Sequence, residues 1–157
     1  MARFLLTRDQ DFFQSISREI VDDVIDTLVK IYKISVYETR TNIYGESVDK
    51  LYLPPVEVAS VIERSDTEQR YEGFGPDTNQ LVQFRFNRFT LEEIGLWLDV
   101  GDIIYHNDAY FEVSNVREDQ LVGGRTDGKF SVVADTFMSR ISTLQIEERV
   151  VWTTIIH

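Results

Sequence analysis

Two histidines, no cysteines and a surplus of carboxylates set the chemistry that this 157-residue chain can offer. A nucleophile–base–acid arrangement would have to run through His106, because the other imidazole, His157, is the last residue. Asp108 stands close behind His106. No serine, however, sits in the pattern that lifts a hydroxyl out of a strand-to-helix turn. His106-Asn107-Asp108 reads instead as a tight turn with its imidazole in solvent. Carboxylates could hold a cation, and Asp22, Asp23 and Asp26 fall together on one helical segment. Charges grouped on a helix are also the ordinary composition of a solvated face. Pro76-Asp77 and Asp127-Gly128-Lys129 carry the residue types of a carboxylate–lysine, metal-dependent nuclease, but they lie too far apart and both have turn composition. Gly73-Phe74-Gly75 lacks the third glycine, the preceding strand and the following helix of a phosphate cradle. The sequence therefore nominates no catalytic, cofactor-binding or metal-ligating residue, and no cofactor is expected.

Composition narrows the remaining classes. Without cysteine there is no disulfide framework, thiolate zinc site or thiol nucleophile, which suits a reducing compartment. With 27 acidic against 16 basic residues the net charge is −11. The lysines and arginines are scattered, whereas nucleic-acid binders gather them to displace counterions from phosphates. Tight or sequence-specific binding of DNA or RNA is not expected. No stretch approaches the roughly 20 apolar residues that cross a bilayer. The patch in MARFLLTRDQDFF is too short for a signal-peptide core. A protein made and kept in the cytosol is the expectation.

The elements follow from periodicity. Thr7 and Gln10 have the spacing of a capping box. Phe12, Phe13, Ile16, Ile20, Val24 and Leu28 then recur at helical steps, predicting an amphipathic helix over about residues 8–27. Its simplest role is to pack on its own sheet; docking on a neighbouring subunit is the alternative. The rest, about residues 28–157, reads as a β core of the same single domain. LVKIYKISVYETRT predicts an unusually long strand, NIYGES a turn, and VEVASVIER a strand with Val56, Val58 and Ile62 on one face. Residues 64–80 predict a long loop. QFRFNRF alternates cleanly, with Val82, Phe84 and Phe86 on one side. Thr90 and Glu93 mark a second capping box, opening a short helix through LEEIGLWL. GDIIYHNDAYFEV predicts a hairpin, VREDQLVGGRTDGKF a loop, and Ser131 to Ile156 two further strands. The fold class is mainly β: an antiparallel β-barrel or sandwich with an N-terminal α-helix and a short second helix. The loops at 64–80 and 118–130 are the expected subunit contacts, because loops carry function more often than the scaffold does.

Taken in order, REIVDDVIDTLVKIYKIS, TNIYGES, GFGPDTNQLVQFRF and GDIIYHNDAYFEVSNV resemble the neck proteins of T-even-like myophages, the head-closure or head–tail connector proteins. The resemblance runs over roughly residues 12–148 and does not extend past Arg149. It implies a barrel-like core, a ring of six or twelve copies below the portal, and a docking face for the tail. It also implies a location at the head–tail junction of the virion, after assembly in the host cytoplasm. Its implied partners are sister copies, a portal-side connector or adaptor protein and a tail terminator. It carries no catalytic residues. The acidic charge suits a ring that encloses DNA without gripping it, since like charges discourage adhesion. It is equally a common route to solubility. Other expectations from the sequence are a tail-terminator or tail-completion protein, a carboxylate metal-dependent nuclease or hydrolase, and a cellular binding module.

Overall fold

Apolar and polar residues alternate along segments such as LVKIY and LVQFRFN, so one face of each has to be covered. The computed structural model describes residues 7–35, 40–41, 47–64, 68–72, 75–79, 81–120, 129–141 and 143–150. In chain order these form α1 (Thr7–Glu19), a π-helical turn (Ile20–Ile25), β1 (Leu28–Tyr32), β2 (Arg40–Thr41), β3 (Ser47–Asp49), β4 (Val56–Ala59), β5 (Val61–Arg64), β6 (Glu68–Glu72), β7 (Gly75–Asn79), β8 (Leu81–Asn87), α2 (Arg88–Ile94), β9 (Ile103–His106), β10 (Ala109–Gln120), β11 (Lys129–Ser139) and α3 (Thr143–Arg149). The fold is mainly β, with an N-terminal helix and a short second one.

Seven strands pair antiparallel in the order β4-β1-β9-β10-β11-β8-β5. The two edges, β4 and β5, are separated in the chain by Ser60 alone. Consecutive Cα atoms are about 3.8 Å apart, so the edges must meet at that residue and the sheet curls on itself like a barrel. Ser60 is fully buried. Its N–H donates to the Thr27 carbonyl at 2.9 Å and its hydroxyl to the Arg85 carbonyl on β8 at 3.1 Å. VEVASVIER, expected as one strand, is thus a segment bent at Ser60 that serves both edges.

The curled sheet encloses one core. Val29 and Ile31 of β1, Val82, Phe84 and Phe86 of β8, Phe111 and Val113 of β10, and Val132 and Ala134 of β11 turn inward, covered by Leu91, Leu96 and Leu98. Phe84 meets Phe111 edge-to-face with ring centroids 5.5 Å apart, the favoured aromatic geometry. A second cluster of Tyr52, Ile103, Tyr110, Ile146 and Val150 buries residues of opposite parity, so β9 and β10 are covered on both faces.

Four expectations change. The long strand from Leu28 stops at Tyr32, because the Ile34 N–H leaves the ladder for the Asp102 carboxylate at 3.0 Å. The expected loop at 64–80 contains the β6–β7 hairpin, paired from Glu68↔Asn79 to Glu72↔Gly75. The polar and turn-forming composition of EQRYEGFGPDTN carries no hydrophobic alternation to mark these strands. In the expected loop at 118–130, β10 continues to Gln120 and β11 begins at Lys129, while 121–128 lie outside the described residues. Of Ser131 to Ile156, expected as two strands, the described residues hold one strand and then α3, and 151–156 lie outside them. TLQIEER is rich in helix formers, and Ile146 and Val150, four apart, both bury.

Of the turn expected at NIYGES, residues 42–46 lie outside the described residues and Ser47 opens β3; the flanks, β2 and β3, pair antiparallel. The hairpin at His106 is present. Asn107 and Asp108 take φ of 50° and 60°, the positive values that a two-residue hairpin loop demands.

Candidate functional site

The residues that sequence chemistry singled out do not converge. His106 ends β9, and its ring lies edge-on to Phe84 at 6.4 Å. Burial, with Arg64 adding, lowers its pKa. Asp108 accepts the Tyr105 hydroxyl proton at 2.8 Å instead of engaging His106. Asp22 bonds Arg18 and Thr90, while Asp23 and Asp26 stand exposed. Asp77 lies in the β6–β7 hairpin and Lys129 pairs with Glu118 at 2.7 Å. Asp127, Gly128, Gly73, Phe74 and His157 lie outside the described residues. Among the described residues no group of three or more His, Asp or Glu side chains could hold a metal ion. Among them, too, no helix is long and apolar enough to cross a membrane.

Two polar clusters look chemical at first sight, and both have a structural task. Asp102, 1% exposed, accepts the Ile34 N–H at 3.0 Å and the Asp99 N–H at 2.8 Å. Lys33 bonds Asp99 at 2.5 Å and the Trp97 carbonyl, with Asp102 at 3.5 Å. Burial pushes the Asp102 carboxyl up, against the pull of the two N–H groups and Lys33. Gly101 precedes it at φ 95°, where a Cβ would stand 2.8 Å from Ile34 Cδ1. Gly101-Asp102 is a latch holding the 95–102 segment to the end of β1. The second cluster rims a cleft of about 250 Å³ between α1, α2 and β11, lined by residues that include Gln14, Asn87, Arg88 and Lys129. Arg88 and Lys129 both face Glu118, and the Lys129 hydrogen bond holds that carboxyl below its ordinary value. The cations are already neutralised, so the cleft has no charge left for an anion.

The unusual feature is the orientation of α1. Gln10, Gln14, Ser17, Arg18, Val21 and Asp22, at helical steps, form its half-buried face. Arg18 makes a two-pronged contact with Glu93 at 3.1 and 2.6 Å and lies 5.4 Å from the Phe89 ring centroid. Thr90 donates to Asp22 at 3.3 Å. Thr90 and Glu93, expected as a capping box, therefore anchor α1. The cap of α2 is Asn87, whose side chain accepts from Phe89 and Thr90, and Gly95 at φ 71° ends the helix before Leu96-Trp97-Leu98.

The apolar stripe consequently faces water. Phe12 is 61% exposed and Val24 74%, with Phe13, Ile16 and Ile20 also exposed. The π-helical turn, in which Asp26 N–H reaches the Val21 carbonyl at 3.3 Å, closes on a five-residue step and brings Ile25 below Ile20. Periodicity located this stripe; its outward direction escaped sequence reasoning, although the polar stripe with Arg18 and Asp22 carried the signal. No protein-family model matches the chain, and no curated protein does.

Proposed function

We propose that this chain is a virion structural protein of the phage neck, closing the DNA-filled capsid below the portal and offering the tail its attachment surface. On this reading it works by assembling with its neighbours, as a ring of six or twelve copies, and turns over no substrate. The ordered resemblance over residues 12–148 supports the location. The observation that carries the assembly role is the outward apolar face of α1, because a large exposed patch on a folded chain marks a surface destined for contact. Rings of identical subunits close through heterologous contacts, and long hairpins away from α1 suit them. The net charge of −11 suits a channel that lets duplex DNA slide.

Electron microscopy of phage particles lacking the protein tests the proposal. Filled heads that leak DNA and carry no tail are expected. Complete heads beside overlong tails would place the chain at the tail end as a terminator, and normal virions would remove it from the particle altogether.

A further inference from the structure

The outward face of α1 combines two things that its own chain leaves uncompensated. The first is apolar area. An aromatic ring covers roughly 150–250 Å² when buried, so the two phenylalanines and four aliphatic side chains exposed from Phe12 to Ile25 leave on the order of 500 Å² in water. That is at the upper end of the largest patch on an ordinary monomer, about 300–600 Å². It is also a large part of the roughly 800 Å² that each partner buries in a specific interface. The second is charge. Asp11, Glu19, Asp23 and Asp26 stand exposed beside the stripe, and none has a cationic partner among the described residues. Most of the described lysines and arginines are already held by carboxylates of the same chain. A second copy would bring the same unpaired acids to this rim and few free cations to meet them. Like charges across an interface disfavour it.

We propose that the outward face of α1, Phe12, Phe13, Ile16, Ile20 and Val24 with its acidic rim, docks a basic amphipathic helix of a different polypeptide. The four-residue steps Phe12, Ile16 and Ile20, continued by Ile25 across the π-helical turn, form a ridge that the grooves of a second helix accept. The stripe supplies affinity, and the rim supplies orientation and rate of encounter. This goes beyond the neck reading and stands without it; sister-copy contacts of a ring would use other surfaces.

The test uses the full chain and a fluorescent helical peptide with a leucine face and a lysine rim, followed by anisotropy at low salt. Saturable binding is expected. It should weaken at least ~10-fold in Phe12→Ser/Ile16→Ser, which leaves the charge unchanged, and comparably in Asp11→Asn/Glu19→Gln/Asp23→Asn/Asp26→Asn. Asn tolerates the left-handed backbone that Asp26 adopts. Added salt should weaken it further. A leucine–glutamate peptide should bind at least ~10-fold less tightly. Unchanged affinity in Phe12→Ser/Ile16→Ser would reduce the binding to net charge and overturn the proposal. Equal binding of the leucine–glutamate peptide would overturn it as well. Sedimentation showing oligomers that the same variant dissociates would assign the face to a second copy. Flotation with phosphatidylcholine vesicles, abolished by that variant, would assign it to lipid. Circular dichroism and an unchanged melting transition verify that each variant is folded.

Discussion

β8 and α1 each carry an unbroken apolar period, and the molecule treats them in opposite ways. In LVQFRFN the inward residues Val82, Phe84 and Phe86 are all at most 1% exposed. In α1 the stripe from Phe12 to Ile20 faces solvent while the polar side of the helix is bound to α2 through Arg18, Glu93, Asp22 and Thr90. The difference lies in what stands opposite. β8 is enclosed by β1, β10 and β11 across a curled sheet, whereas α1 meets its own chain through charge and hydrogen bonds. A periodic stripe establishes that a face is apolar. It leaves open which molecule covers it.

The comparison breaks most visibly at Phe84. Phe84→Ala removes a fully buried ring from contact with Phe111, and a loss of about 3–5 kcal/mol is expected in urea unfolding. A loss below ~1 kcal/mol would mean that the barrel interior is no tighter than the helix surface. The latch comes next. Asp102→Asn keeps one acceptor oxygen but turns an amide donor toward a second part-buried N–H, of Ile34 or Asp99. Leaving one such donor unmet costs about 1–3 kcal/mol. Hydrogen exchange should then speed up at those two amides before the strand amides of β8. Uniform acceleration across the sheet would count against a local latch.

The period-two alternation of β8, the hairpin at Asn107-Asp108 and the mainly β class were legible because each is a local property of side-chain type and backbone conformation. The bend at Ser60 was not. Its cause is non-local, a hydroxyl reaching Arg85 across the chain, while Val56 to Ile62 keep one alternation throughout. α3 was missed because strand expectation ran past Ser139, although Ile146 and Val150 have helical spacing. The latch was invisible for the same reason as the bend: Asp102 and Ile34 are neighbours only after β1 pairs with β9. Of the candidate surface, the stripe was legible and its direction was not, since direction depends on which face α2 engages.

A smaller effect is expected at Tyr52, in the outer cluster between these two extremes. Its ring is fully buried, and its hydroxyl has no hydrogen-bond partner among the described residues. Tyr52→Phe removes that unmet group and should be neutral or stabilising by up to about 1 kcal/mol. Burial, with Glu112 adding, pushes the hydroxyl up to about 12 from 10. Between these values the folded chain keeps a proton that the unfolded chain has lost, so the stability this group contributes falls as pH rises through the window. The advantage of Tyr52→Phe over the natural chain should therefore grow from pH ~10 to pH ~12 in parallel urea titrations. A constant difference would show that Tyr52 titrates alike in both states.

The smallest effect is the most informative about α1. Phe12→Ser/Ile16→Ser replaces two large apolar residues, a change that at buried positions such as Phe84 would cost several kcal/mol. On a face turned largely to water there is little packing to lose, Phe12 being 61% and Ile16 37% exposed, and the expected change is within about 0.5 kcal/mol by urea unfolding of the purified chain. Dilute protein is required, because a sister copy covering the face would add a concentration-dependent term. A loss above ~2 kcal/mol at low concentration would show that the chain buries its own stripe, and the contrast between α1 and β8 would collapse. A negligible loss leaves six apolar residues, from Phe12 to Ile25, whose exposure the folded chain tolerates without gaining from it, which is the condition of a surface kept for another molecule.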